Sequence, residues 1–238
     1  MAGAAALRRV AIIGCGGHAR EQAELIAAVN AVQPEFVVEG FLADPDFAPA
    51  ADPVRGLAVL GPPEWLAEQA GAVLGVCAMG DPGERARMVA RLASAGVRFA
   101  TLVHPTAVVG GSVTLGEGAI VCAGSVLTSE VSLGDHVHVG VGSIVSHDCA
   151  LGAYASLAPG CRLAGAVTVE QGAQLGVGTV VRDRVRVGEW SRTGAGAVVV
   201  GDVPANATVV GVPARVIDTR LPGWQREAPS FEQRESGR

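Results

Sequence analysis

The sequence of 238 residues predicts a small parallel α/β domain followed by an all-β part, a parallel β-helix built from a six-residue repeat. The first hundred residues alternate buried-strand patterns with helical patterns, as in a parallel sheet covered by helices. From Val103 onward, Val or Leu recurs at every sixth residue up to Val187. Fixed self-similarity of this kind predicts a solenoid in which stacked coils share one aliphatic core.

The N-terminal part is predicted to be Rossmann-like. RRVAIIG reads as a buried strand, a Gly-rich turn follows it, and the next helix has an apolar side that includes Leu25, Ile26 and Val29. A strand at FVVEGFLAD, a helix around PEWLAEQA, a strand at AVLGVCAMG and a helix from Asp81 to Gly96 continue the alternation. We expect these elements to form one small parallel sheet.

The Gly-rich turn is GCGGH, residues 14–18. Such a turn points backbone N–H groups and a helix N-terminus at an anion, which favours phosphate binding. The sixth position of the G-x-G-x-x-G pattern is Ala19, a variant that some dinucleotide folds accept. The motif alone also fits a tight turn without a ligand. A Rossmann dehydrogenase is a rival interpretation, but the repeat leaves no conventional substrate domain.

The repeat has three columns in one register. Four residues after each Val or Leu lies a small or β-branched side chain, from Ala107 to Ser191, and Gly often occupies the position directly after the aliphatic residue. The pattern fades at Thr193 and Val199, and Pro204 and Pro213 are expected to block further strand pairing. The polar tail beyond Asp218 is expected to be loose.

Composition excludes several classes of function. The chain has 18 basic and 23 acidic residues without a basic cluster, so nucleic acid is not an expected partner. The sequence contains no run of about eighteen apolar residues, so membrane insertion is not expected. The start, MAGAAALRRVAIIG, passes into a strand without a signal-peptide pattern, so we expect a cytoplasmic protein. The five cysteines form no C-x-x-C pair, which indicates neither a zinc site nor a disulfide framework.

Two motifs together resemble a specific family. V-x-I-I-G-x-G-G-H opens the α/β part, and A-T-L-V-H-P-T-A-V joins it to the repeat. Over roughly residues 9–217 the chain is similar to the bacterial sugar acetyltransferases, which include sialic-acid O-acetyltransferases and N-acetyltransferases of UDP- or GDP-linked amino sugars. This hexapeptide-repeat family implies a left-handed β-helix with three hexads, or eighteen residues, per coil.

The resemblance also implies a separate function for each part of the chain. Residues 1–102 would bind the nucleotide sugar, residues 103–217 would form the acetyltransferase β-helix, and residues 218–238 would be a polar tail. Acetyl-CoA would be the cosubstrate and lie along the β-helix, without a metal. A homotrimer would place the active site between adjacent subunits.

His147 and Asp148 are the predicted catalytic residues. The segment S-H-D-C matches the family's E-H-D-C or E-H-E-C motif, in which the histidine is the general base and the carboxylate orients it. Transfer from a thioester needs a base for the attacking amine or hydroxyl, and imidazole titrates near neutral pH. The alternative is a solvated histidine at a corner of the β-helix.

Two further histidines, His136 and His138, lie close to His147 in sequence. Both fall outside the inward columns and are expected to be exposed, and a metal site is not expected. Ser156 lies eighteen residues after His138, so the two should stack about 4.8 Å apart on adjacent coils. Family members commonly have histidine at position 156, and we hypothesise that His138 partly replaces it.

The resemblance assigns further residues to two ligands. Positions 140 and 146 also depart from the family, which has Asn and Glu where this chain has Gly140 and Ser146. The predicted nucleotide-sugar contacts are Gly14, Gly16, Gly17, His18, Asp44, Gly80, Asp81 and His138. The predicted contacts with coenzyme A are Ser156, Gly165, Val177, Ala195 and Arg215. Ordinary turn, packing and surface roles remain the alternatives.

The sequence therefore predicts an acetyl-CoA-dependent transferase that acts on an amino group or hydroxyl of a nucleotide-linked sugar. Transfer of another acyl group, or to a non-sugar acceptor, is one alternative, kept open by Gly140, Ser146 and Ser156. A non-catalytic nucleotide-binding β-helix protein is the other. The base, the sugar, the acyl length and N- versus O-transfer are left open.

Overall fold

The structure, a computed structural model, describes residues 6–47, 56–69 and 71–226. A four-stranded parallel sheet forms the first part, and across the sheet its strands are Val59–Gly61, Phe36–Leu42, Arg8–Ile13 and Val73–Cys77. Its elements are β1 (Arg8–Ile13), α1 (Gly17–Val32), β2 (Phe36–Leu42), a 3-10 turn (Pro45–Phe47), β3 (Val59–Gly61), α2 (Trp65–Glu68), β4 (Val73–Cys77) and α3 (Pro82–Ala93). The short strand β3 was not expected from the sequence.

Side chains of the central strand β1 alternate between two layers of core. Val10 and Ile12 belong to the cluster that contains Leu25 and Ile26 of α1. Ala11 and Ile13 point to the other side and pack with Met88 and Leu92 of α3. Both faces of the sheet are therefore covered, which explains the continuous apolar run in β1.

The second part is a parallel β-helix with three faces. The first face contains the strands Leu102–Val103, Ile120–Val121, His138–Val139, Ser156–Leu157, Gln174–Leu175, Arg192–Thr193 and Ala207–Val210. The second face contains Val108–Val109, Val126–Leu127, Ile144–Val145, Arg162–Leu163, Val180–Val181 and Val198–Val199. The third face contains Thr114–Leu115, Ser132–Leu133, Ala150–Leu151, Thr168–Val169 and Arg186–Val187.

Residues eighteen apart pair across adjacent coils, as expected. His138 pairs with Ser156, and Val139 with Leu157. The predicted inward columns form one core, in which the side chains of Val139 and Ala155 are completely buried. Three hexads therefore make each coil.

The β-helix extends further than the sequence indicated. Arg192–Thr193 and Val198–Val199 are regular strands, and Thr208 and Val209 pair in parallel with Arg192 and Thr193. Thr193 is accepted at an inward position because its hydroxyl lies 2.7 Å from that of Thr179 and accepts a hydrogen bond from the backbone N–H of Gly176. Pro204 lies before the last parallel strand, so it removes no donor from this ladder.

The first residues of the predicted tail also differ from the expected loose segment, while residues 227–238 lie outside the described ranges. A final strand, Arg215–Thr219, pairs antiparallel with Ala207–Val210. The segment after it turns back, and a 3-10 turn at Trp224–Arg226 packs against α3. Residues up to 226 are therefore part of the packed structure.

The α/β part packs against the first face of the β-helix at its first two strands, Leu102–Val103 and Ile120–Val121. Leu102 and Ile120 on that face belong to the same buried cluster as Leu25 and Ile26 of α1. This contact joins the sheet, α1 and the outer side of the β-helix in one apolar cluster, which is separate from the core inside the coils.

Candidate active site

The predicted catalytic pair lies at the corner between the second and third faces. His147 follows the strand Ile144–Val145, and Asp148 adopts a left-handed backbone conformation with φ of 59°. Nδ1 of His147 lies 2.7 Å from Oδ2 of Asp148, and both side chains are exposed. An ionised carboxylate only accepts hydrogen bonds, so Nδ1 of the neutral ring carries the proton and the lone pair of Nε2 is left free.

Gly165 lies one coil above His147. A Cβ built on Gly165 would come within 2.5 Å of Cε1 and 2.6 Å of Nε2 of the imidazole. The backbone N–H of the next residue, Ala166, donates to the carbonyl of His147. The glycine therefore leaves the imidazole accessible at a point where any other side chain would collide with it.

The prediction that His136 and His138 are exposed was wrong. Both rings are buried, at 5% relative exposure, because helices of the α/β part cover this side of the β-helix. Nδ1 of His138 lies 3.3 Å from Nε2 of His18, whose Nδ1 lies 3.0 Å from a carboxylate oxygen of Glu21. His18 and His138 therefore meet at the junction between the two parts of the chain.

Ser156 lies in the same junction, beside the buried side chain of Arg85. The guanidinium donates to Oγ of Ser156 at 2.6 Å and to the carbonyls of His136, Tyr154 and Met79 at 3.0, 2.7 and 2.6 Å. Four acceptors from both parts of the chain thus satisfy one buried cation. Burial lowers the pKa of Arg85 to about 10, which leaves it charged at neutral pH.

The buried imidazoles are neutral at physiological pH. Burial, followed by the charge of Arg85, lowers the pKa of His136 to about 4 and holds that of His138 well below its ordinary value. The ring of His136 stacks on Tyr154 and meets the edge of Phe99. These two histidines are therefore buried packing groups within the chain, whereas His147 is open to solvent.

A cavity of about 480 Å³ opens at the carboxyl edge of the sheet. Its lining includes Gly14, Gly16 and Asp44, three of the residues that were predicted to contact a nucleotide sugar. Gly16 is the N-cap of α1 and lines the cavity, so the positive end of this helix borders the cavity. The other lining residues are Ile13, Cys15, Leu42, Ala43, Phe47, Pro63, Met79, Glu84, Arg87, Met88 and Arg91.

Asp44 is held by an arginine of α3. Its two carboxylate oxygens each accept a hydrogen bond from Arg91 at 2.9 Å, and this pairing lowers the pKa of Asp44. Arg91 also bonds Glu64. The wall of the cavity around Asp44 is therefore a fixed ion-pair network.

Five predicted contacts lie outside the lining of this cavity: Gly17, His18, Gly80, Asp81 and His138. His18 faces the junction, and the carbonyl of Gly80 lies 3.5 Å from Nη1 of Arg85. Asp81 caps α3 by accepting from the backbone N–H of Glu84 at 3.0 Å, and its other oxygen binds Arg192. The side chain of Asp81 is therefore already used within the protein.

The predicted coenzyme A contacts divide into three groups. Val177 and Ala195 are exposed on adjacent coils at the corner between the first and second faces. Arg215 is exposed in the last strand, where its guanidinium donates to the carbonyl of Ala214. Gly165 lies beside His147, whereas Ser156 is buried under Arg85.

The structure explains one departure from the family pattern. A Cβ on Gly140 would lie 2.6 Å from the carbonyl oxygen of Leu157 on the next coil, so this chain has no room there for a side chain. Ser146 is half-buried beside His147, and its backbone N–H donates to Leu163.

Sequence patterns did not identify Arg85, Arg87 or Arg91 as important. The three lie on α3, and Arg87 and Arg91 are four residues apart, which places them on one side of a helix that faces the cavity. That four-residue spacing could have been recognised in the sequence as two arginines on one side of a helix. Arg85 could not be recognised, because its acceptors are mostly backbone carbonyls.

The described ranges lack two kinds of feature. Residues 6–47, 56–69 and 71–226 contain no group of three or more His, Cys, Asp or Glu side chains placed to hold a metal ion. No helix in the same ranges is long and apolar enough to cross a membrane.

Comparison with known proteins connects this geometry to a family. The family described as the PglD N-terminal domain matches residues 9–92. The acetyltransferase domain of PglB from Neisseria gonorrhoeae, solved with acetyl coenzyme A, is 32% identical and has a TM-score of 0.82, covering 89% of this chain and 100% of that one. No curated protein matches the chain.

Two further structures cover nearly the same length. PerB from Caulobacter crescentus, solved with CoA and GDP-perosamine, is 36% identical with a TM-score of 0.78, covering 90% of this chain and 99% of that one. WeeI from Acinetobacter baumannii is 28% identical with a TM-score of 0.78, covering 87% of this chain and 99% of that one. Variants of the Caulobacter protein with one histidine replaced by Asn or Ala were also solved with both ligands.

These similarities confirm the predicted fold class, a parallel α/β domain followed by a left-handed parallel β-helix. The PglB domain and PerB match both parts of the chain at more than 30% identity. The chain therefore belongs to the bacterial sugar N-acetyltransferases of the hexapeptide-repeat type.

Proposed function

We propose that this protein transfers an acetyl group from acetyl-CoA to the amino group of a nucleotide-linked sugar. The observation that carries the proposal is the hydrogen-bonded pair His147–Asp148 at an open corner beneath Gly165. The similarity to a Caulobacter protein solved with CoA and GDP-perosamine supports the choice of both substrates.

The proposed chemistry follows from the orientation of the imidazole. The amine nitrogen attacks the thioester carbonyl carbon, and Nε2 of His147 accepts the proton that this nitrogen loses. The C–S bond then breaks, and the proton passes from His147 to the departing thiolate of CoA. Asp148 fixes the tautomer through Nδ1 and stabilises the imidazolium while it exists.

The nucleotide would occupy the cavity beside α1. Its glycine-lined turn and the positive end of α1 favour a phosphate group, and its apolar lining favours a planar base. Binding of the nucleotide would hold the amino sugar in line with the thioester. In this division, residues 1–102 bind the nucleotide sugar and residues 103–217 carry the transferase site.

Coenzyme A would lie along the outside of the β-helix next to the second face. This route would pass Val177 and Ala195 at one corner of that face and Gly165 at the other. Arg215 would contact a phosphate near the upper end of the route. Ser156 is not part of this proposal, because Arg85 occupies its hydroxyl.

A homotrimer would complete the site. The outward side chains of the second face are largely apolar, and Val108, Ile144 and Val180 are 61%, 37% and 39% exposed. The base lies beside this face, whereas the α/β part and its cavity pack on the first face. Contact between copies would bury the apolar residues and bring the base of one copy towards the cavity of another. Acetyl-CoA as cosubstrate also favours a cytoplasmic location.

The function is tested by following CoA thiol release with a panel of UDP-, GDP- and dTDP-linked amino sugars. Their hydroxyl analogues serve as matched controls. We expect release with at least one amino sugar and a product that resists hydroxylamine, as an amide does. Release only with a hydroxyl analogue would establish O-transfer and contradict the proposal.

Subunit complementation tests the shared site. Gly16→Trp fills the cavity at a position where a Cβ meets nothing within 4 Å, and His147→Ala removes the base. Each variant alone should be inactive, whereas mixed oligomers should recover activity if one copy supplies the base and another the cavity. If oligomers that are shown to contain both variants remained inactive, a site between subunits would be contradicted.

A further inference from the structure

The chain ends, within its described residues, in a segment that ties the β-helix to α3. This segment, residues 219–226, is called the C-terminal strap. The backbone N–H of Arg220 donates to the carbonyl of Asn206, which anchors the start of the strap to the β-helix. The far end reaches α3, where the carbonyl of Gln225 accepts a hydrogen bond from Arg87.

Trp224 fixes the middle of the strap between two arginines. The guanidinium carbons of Arg192 and Arg220 lie 4.8 and 4.5 Å from the centre of the indole ring. Such contacts combine cation–π attraction with apolar packing of the ring. Arg192 also binds the carboxylate of Asp81, so the same arginine joins the strap to the first turn of α3.

The helix that the strap holds is a wall of the nucleotide cavity. Arg87 and Arg91 are the two arginines in that wall. Arg91 is paired with the carboxylates of Asp44 and Glu64. The guanidinium of Arg87 instead donates to a neutral backbone carbonyl of the strap, which orients its charge without neutralising it.

We infer that the strap is a positioning element for nucleotide recognition. Trp224 and Gln225 hold the guanidinium of Arg87 at the cavity, and Arg87 binds the diphosphate of the nucleotide-linked substrate. This inference rests on the proposed function, since it names the phosphate contact of the same substrate. It also assigns the C-terminal residues a role in substrate affinity, which their polar sequence did not indicate.

The test is a double-mutant cycle on the full-length chain, with UDP, GDP and dTDP as probes in calorimetric titrations. Against the best probe, Arg87→Ala and Trp224→Ala should each weaken binding about tenfold, as expected for loss of a charge-assisted phosphate contact. The double variant should bind no more weakly than Arg87→Ala, because Trp224 acts through Arg87. Arg87→Lys should restore part of the affinity, since it keeps the charge.

Leu221→Ala is the matched control, since Leu221 belongs to the strap and is 82% exposed. It should bind the probe like the unaltered protein. Any one of three results would overturn the inference. These are additive losses of affinity in the double variant, unchanged affinity in Trp224→Ala, and no binding of any probe by the unaltered protein. Nucleotide binding without acetyl transfer would reject the proposed function and leave this inference standing.

Discussion

Gly165 and His147 face each other across adjacent coils, and a single methyl group on Gly165 would come within 2.5 Å of the imidazole. The imidazole and the open space above it are therefore set by two consecutive coils of the same column. The same corner carries Asp148, so the geometry of the whole His147–Asp148 pair depends on the eighteen-residue repeat of the β-helix.

Gly165→Ala should lower the rate of acetyl transfer at least tenfold while the β-helix remains folded, because the added methyl displaces the base. Gly111→Ala is the control, since a Cβ there meets nothing within 4 Å. Steady-state kinetics and thermal unfolding of both variants check this. Equal rates for the two variants would show that space above His147 does not matter.

Asp148→Asn should reduce kcat about 10²-fold or more, because an amide can hold the wrong tautomer of His147 and does not stabilise the imidazolium. Both side chains are exposed, so the melting temperature should stay close to that of the unaltered protein. Measurement of kcat and Tm on the same preparation checks both statements. A retained kcat would remove Asp148 from the mechanism.

Ser156→Ala should destabilise the protein by about 1–2 kcal/mol, because it removes one acceptor of the buried guanidinium of Arg85. Arg85→Ala should cost about 3 kcal/mol or more, since it also leaves backbone carbonyls unpaired. Urea unfolding of both variants, with the exposed Arg20→Ala as a control, measures the difference. If Ser156→Ala matched the control, the hydroxyl would not anchor the junction.

Stability should fall as the pH drops from about 6.5 towards 4. The pKa of His136 is lowered from 6.5 to about 4 by burial and Arg85, with Asp135 and Glu117 opposing this shift. The unfolded chain therefore binds more protons than the folded chain in that range, and His136 alone accounts for up to about 3 kcal/mol of the loss at pH 4.

Urea unfolding across this pH range, with His136→Asn beside the unaltered protein, isolates the contribution of His136. His138 titrates in the same direction, since burial, Arg85, His18 and His136 all lower its pKa. The Asn variant should therefore show a shallower pH dependence rather than none. Identical slopes would indicate that His136 is protonated in the folded protein.

Cys15 should be the thiol that alkylates first, because it lines the open cavity and is partly exposed. Burial raises the pKa of Cys77, Cys122 and Cys161 to about 11, which keeps them as thiols. Nucleoside diphosphates should slow the labelling of Cys15, as read by peptide mass spectrometry. Labelling at an unchanged rate with saturating nucleotide would place the nucleotide elsewhere.

Periodicity was sufficient to identify the inward residues of the β-helix because each hexad repeats them, whereas the eighteen-residue coil that pairs His138 with Ser156 came from the family resemblance. It failed at the upper end, where Thr193 replaces an aliphatic residue and satisfies its hydroxyl inside the core. The burial of His136 and His138 could not be read from the repeat, because it depends on which face the α/β part covers. The residues around Arg85 come together only through that same contact.

The catalytic proposal depends most directly on His147. Purified protein, acetyl-CoA and the best amino-sugar nucleotide should be incubated beside His147→Ala, and the sugar nucleotide followed by mass spectrometry. We expect the mass of one added acetyl group with the unaltered protein and none with the variant over the same time. Equal acetylation by both proteins would contradict the assignment of His147 as the base.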